Sequence, residues 1–181
     1  MYEFVQGPLV WLAFIVFIGG CAYKLVSMHF LAKREKSVYP TMSAKFGFRS
    51  LFHWLTPFGA RNMRMHPVVT VVSFVFHLCL IVTPLFVMGH AVLWQASWGL
   101  SWWSMSAYAA DVMTALVIIC GFILFLRRLA SPEVRNVSTY KDYLLLLMVI
   151  APFITGFISH EQWVDPKIMV IFHILAGVLW L

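Results

Sequence analysis

The sequence predicts an all-α integral membrane protein, a bundle of five transmembrane helices with its N-terminus outside. Three observations predict it. First, 62% of the 181 residues are hydrophobic and only 11% charged, against about 25% charged in a soluble domain. Second, the apolar residues come in long unbroken runs, which suits helices rather than the alternation of a β-barrel. Third, the net charge of +6 is carried by loops beside those runs. That pattern sets topology and excludes a nucleic-acid partner.

The first span is expected over about residues 8–30, opening at Gly7-Pro8 and ending in Lys24 and His29, with Lys33, Arg34, Glu35 and Lys36 after it. It is not a signal peptide, because the basic residues follow the apolar run. In the loop of residues 31–65, Phe46, Phe48, Leu51, Phe52, Trp54 and Leu55 alternate with basic residues. This reads as a short helix in the headgroup region, ended by Pro57-Phe58-Gly59.

The second span is expected over 66–93, with Pro67 in its first turn and a bend at Thr83-Pro84. A loop holding Trp94, Trp98, Trp102 and Trp103 but no lysine or arginine follows; tryptophan clusters mark membrane interfaces. The third span is expected over 105–126, the fourth over 143–158 and the fifth over 167–181. The fifth is short: 15 residues make about 22 Å of helix against a hydrocarbon core of about 30 Å. It is therefore expected to be incomplete. Twelve of the 13 lysines and arginines, all but Lys167, lie at Lys24 or in the loops after spans one and three. Those loops are assigned to the cytoplasm, which puts the N-terminus outside. Cys21, Cys79 and Cys120 lie in apolar runs and form no C-x-x-C pair, so they read as buried, inert thiols.

The histidines carry the functional expectation. Ionisable groups inside a membrane are costly and mark functional sites. His66 and His77 are 11 residues apart; on one continuous helix they differ by roughly 20° in direction and about 16 Å in depth. His173 is the other histidine deep in a span, at a depth matching that of His77. Histidine is a standard haem ligand, and bundle cofactors sit between facing helices. The pair His77 and His173 is thus expected to hold an outer haem iron. His66 is expected to hold an inner one with a residue beyond position 181. Gly177, one turn after His173, would leave room for the macrocycle. His90, about 140° round the helix from His77, and Asp111, two turns into span three, are candidates for a quinone or proton site. Pairing with Lys167, or standing as a hydrated interfacial carboxylate, are the other readings of Asp111. A haem-free membrane anchor or proton-relay transporter is the alternative of another class.

These residues also carry a family resemblance. His77 with Thr83-Pro84 resembles the second helix of the respiratory nitrate reductase gamma subunit family. Residues 127–135 (RRLASPEVR), with Ser138, Thr139 and Asp142, are similar to that family's loop between helices three and four. Residues 172–177 (FHILAG) look like the start of its fifth helix. The resemblance implies a five-helix cytochrome b with two haems b, each held by one histidine from helix two and one from helix five. Nitrate reductase members space the helix-two ligands one residue closer and carry a quinol-site lysine with no counterpart here. The entry RNMRMHP at residues 61–67 and the longer first loop look more like the membrane subunits of Dsr- and Tmc-type redox complexes. That implies a bacterial cytoplasmic-membrane protein moving electrons between menaquinol or another quinol, or an outer multihaem cytochrome c, and a cytoplasmic iron–sulfur partner similar to heterodisulfide reductase. Quinol oxidation as a nitrate reductase gamma subunit is the alternative within the family.

Overall fold

A computed structural model describes residues 2–34 and 43–180. Glu35 and Lys36 of the first basic loop, and Leu181, lie outside the described residues. The chain divides into two compact units, Met1–Pro67 and Val68–Trp180. Among the described residues, every regular element is helical.

In the first unit a short helical stretch, Tyr2–Phe4, and a π-helical turn, Val5–Leu9, lead into helix α1, Val10–Arg34. Pro8 sits inside that turn, where its missing N–H leaves the usual ladder incomplete. The side chains of α1 are almost all open; Ala13 is buried. A helix apolar on every side and uncovered by protein suits a lipid surround. Helix α2, Ala44–Leu55, and helix α3, Arg61–Met65, follow. The expected Pro57-Phe58-Gly59 stop lies in the turn between them. Thr56 folds back, with its N–H and Oγ both donating to the Phe52 carbonyl at 3.0 and 2.7 Å. Phe58 takes φ 62°. Gly59 has to be glycine, because a Cβ there would run into the His53 carbonyl oxygen. The Arg64 guanidinium closes the turn by donating to the carbonyls of Phe58, at 3.1 Å, and Gly59, at 2.9 Å.

The second unit is built from α4, Pro67–Phe86; α5, Met88–Trp98; α6, Ala107–Ala130; α7, Pro132–Val137; α8, Tyr140–His160; and α9, Pro166–Trp180. Its caps follow from local chemistry. Ser106 accepts from Ala109 N–H at the start of α6. Thr139 and Asp142 form a capping box at the start of α8. Asp165 accepts from the N–H groups of Lys167 and Ile168 at the start of α9. Gly99 ends α5 with φ 68°, a left-handed conformation glycine enters without strain.

The core is a cluster of Phe76 and Cys79 from α4, Val117 and Cys120 from α6, and Ile150 and Phe153 from α8. Gly121 permits the approach: a Cβ there would lie 2.5 Å from Ile150 Cδ1 and 3.1 Å from Phe76 Cε2. Close van der Waals packing of this kind is what holds helices together where lipid removes the hydrophobic drive. Helix α8 packs on both α6 and α9.

Four helices are long and apolar enough to cross a membrane, Gly7–Arg34, Pro67–Phe86, Ala107–Ala130 and Tyr140–His160; Pro166–Trp180 is apolar but shorter. Three sequence expectations are corrected. The second span does not run from 66 to 93: it starts at Pro67, breaks at Val87 (φ −66°, ψ 133°) and resumes as α5. The break falls three residues past Pro84, after the ladder has lost a donor. Trp94 and Trp98 lie on α5 rather than in a loop. Cys21 is exposed, whereas Cys79 and Cys120 are buried.

Candidate functional site

A broken helix frees backbone carbonyls, and free carbonyls inside an apolar bundle need donors. At the end of α4 three successive carbonyls find them. Pro84 O accepts from His90 Nδ1 at 2.9 Å. Leu85 O accepts from Trp102 Nε1 at 2.7 Å. Phe86 O accepts from Met105 N at 2.8 Å. Two aromatic side chains and one main-chain amide thus hold the break closed, and His90 is fixed in the process.

His173 is held in a similar way. It is part-buried, and its Nδ1 lies 3.0 Å from Pro152 O and 3.3 Å from Thr155 Oγ1. Gly156 makes room for the ring: a Cβ there would stand 3.0 Å from Cε1 and 3.2 Å from Nδ1. His77 is exposed on α4, with Nδ1 2.7 Å from Ser73 O. Phe76 meets its ring edge-on at 5.3 Å between centroids.

A carbonyl oxygen only accepts. Each of these three imidazoles therefore carries a proton on Nδ1, so in its neutral form the lone pair is on Nε2. That is the arrangement of metal-ligating histidines, whose second nitrogen is spent on a backbone carbonyl or carboxylate.

The structure brings His173 together with His90, whose rings stack at 6.0 Å between centroids and 27° between planes. The helical rotation expected to separate His90 from the ligand face does not apply, because the break at Val87 resets the phase. A stacked neighbour covers a ring's face and leaves its nitrogen edge open. Nothing within 4 Å would meet a Cβ at Gly177.

His66 stands outside the helix that carries His77. It caps α3 with φ −124° and ψ 65°, and its N–H donates to Asn62 O at 3.2 Å. The directional match computed for a continuous helix from 66 to 77 therefore does not describe it. Asp111 faces His160 rather than Lys167. Asp111 Oδ1 lies 3.6 Å from His160 Nε2, with side chains 33% and 54% exposed. Glu161 joins them, all three ligand atoms lying within 4.8 Å of one another.

Sequence reasoning missed Pro152, Thr155 and Gly156 as the seat of His173. The signal was a proline and a glycine four residues apart on one helix, hence on one face. It also missed Trp102 and Met105 as the donors that close the break.

The fold and this set of histidines define a class: an all-helical chain with four helices long and apolar enough for a multi-pass membrane protein. No family model matches the chain, and no solved structure does. A protein of Nitratidesulfovibrio vulgaris (strain Hildenborough), named only "Protein", is 33% identical over 186 residues, spanning 100% of this chain and 82% of its own length. The chain belongs to the family of that protein.

Proposed function

We propose that the chain is the membrane cytochrome b subunit of a respiratory complex in the bacterial cytoplasmic membrane. His77 and His173 would hold one haem b, and His66 would help to hold a second. The observation that carries the reading is the seat of His173. An imidazole is part-buried between two apolar helices, its Nδ1–H committed to Pro152 O, its ring admitted by Gly156. Pro152 and Thr155 fix the tautomer and the orientation of the ring, and with them the direction in which Nε2 presents its lone pair. Ser73 O does the same for His77. The open side of Gly177 gives space beside α9.

Haem b, when bound, supplies reversible one-electron chemistry. The protein's own part is ligation, orientation and an apolar sheath. The N-terminus outside and five spans complete the arrangement, with the basic loops docking a cytoplasmic iron–sulfur partner. An outer multihaem cytochrome c or a quinol is the electron-exchange partner on the other side. His90, stacked on His173, and the pair Asp111–His160 are the groups that exchange protons there.

The optical spectrum of the purified protein tests this. Reduced b-type bands are expected, and His77→Ala or His173→Ala should each remove one haem and spare the other. Absence of the bands, or two unaltered haems in either variant, would falsify the assignment.

A further inference from the structure

Helix α2 has an uncovered apolar face beside a row of cations. At about 100° per residue, Phe48, Leu51, Phe52 and Leu55 fall within an arc of roughly 100°. They are 62%, 53%, 68% and 71% exposed. Lys45, Arg49 and His53, spaced i, i+4 and i+8, form an adjoining ridge and are all exposed. No residue from 36 to 110 is Asp or Glu. Lys45, Arg49, Arg61 and Arg64 therefore have no acidic residue in that stretch.

The chain also limits where α2 can go. It is tethered between Arg34, the end of one helix long and apolar enough to cross a membrane, and Pro67, the start of the next. A segment joining two consecutive spans stays at one membrane face. An apolar face on that segment meets the acyl boundary, and the cations beside it meet headgroups.

We propose that α2 lies in the membrane plane and binds anionic phospholipid headgroups. Phe48, Leu51, Phe52 and Leu55 enter the acyl boundary, and Lys45 and Arg49 contact the phosphate-bearing headgroups. His53 extends the ridge as a further polar contact. Phosphate recognition by basic side chains is charge-assisted and salt-sensitive. A cation near an anionic leaflet strengthens binding by about fivefold. The inference is independent of the haem reading.

The test uses the full chain in vesicles, with a spin label on Leu51→Cys or, as an internal control, Ser50→Cys. Cys21→Ala removes the exposed native thiol; Cys79 and Cys120 are buried and stay unlabelled. In vesicles containing phosphatidylglycerol, the Leu51 label should be reached by oxygen and shielded from aqueous nickel chelate, and the Ser50 label the reverse. Lys45→Gln with Arg49→Gln should lower the ratio of membrane-inserted to detached form by about 25-fold. High salt should have the same effect, and neutral phosphatidylcholine vesicles should not respond to the double substitution. Equal nickel access at both positions would overturn the proposal, by placing the helix in water. A Leu51 label shielded from both reagents would overturn it by placing a protein surface there. An equal response in neutral and anionic vesicles would remove the anionic recognition.

Discussion

Gly156→Ala isolates the fit of His173 against α8. The added Cβ would stand 3.0 Å from His173 Cε1 and 3.2 Å from Nδ1, closer than ordinary van der Waals contact by several tenths of an ångström. The ring cannot retreat freely, because its Nδ1 is tied to Pro152 O at 3.0 Å. Overpacking at such a site costs about 1–3 kcal/mol, and lengthening the hydrogen bond forfeits up to about 1 kcal/mol more. Against this, alanine gains about 1 kcal/mol over glycine inside a helix. Gly19→Ala supplies the reference: Gly19 is also mid-helix, and nothing lies within 4 Å of its Cβ position. The propensity gain is common to both variants and cancels in their difference. SDS titration in mixed micelles should therefore find Gly156→Ala less stable than Gly19→Ala by about 1–4 kcal/mol. Equal stability of the two would refute the claim that Gly156 is the seat of the ring. On the proposed haem reading, the optical spectrum of the same preparation adds a second readout, since displacing His173 should shift or broaden reduced b-type bands.

Two further outcomes are expected. Thr139→Ala removes the side chain of the capping box at the start of α8, where Asp142 Oδ2 accepts from Thr139 N–H at 2.7 Å and from Thr139 Oγ at 2.8 Å; the loss should be about 1 kcal/mol by the same titration, and a variant as stable as the parent would mean the cap is not holding the helix. For topology, a Ser101→Cys thiol in a Cys21→Ala background should react with an impermeant maleimide on intact cells, whereas Ser131→Cys should need permeabilised ones; the reverse pattern would invert the N-outside orientation.

The helices and their order were legible in the sequence because each apolar run is long, uncharged and bounded by its own caps or charges. Lipid and backbone hydrogen bonding leave such a run little alternative to a helix. Ser106, Thr139 and Asp165 mark helix starts within a few residues of those expected, since an N-cap is a local contact. His173 was singled out for the same reason: an imidazole in an apolar run is conspicuous by composition alone.

What surrounds it was decided only by the tertiary structure. Pro152, Thr155 and Gly156 are 17 to 21 residues from His173, and helix α8 brings them to it by packing on α9. His90 meets His173 because the second span breaks at Val87, and the break holds because Trp102 and Met105 return to cap its carbonyls. Periodicity assumes a continuous helix, so it misplaced His90 and credited His66 with a phase it does not have. A helix direction propagates from residue to residue and can be counted, whereas the donors that satisfy a broken helix come from another part of the chain.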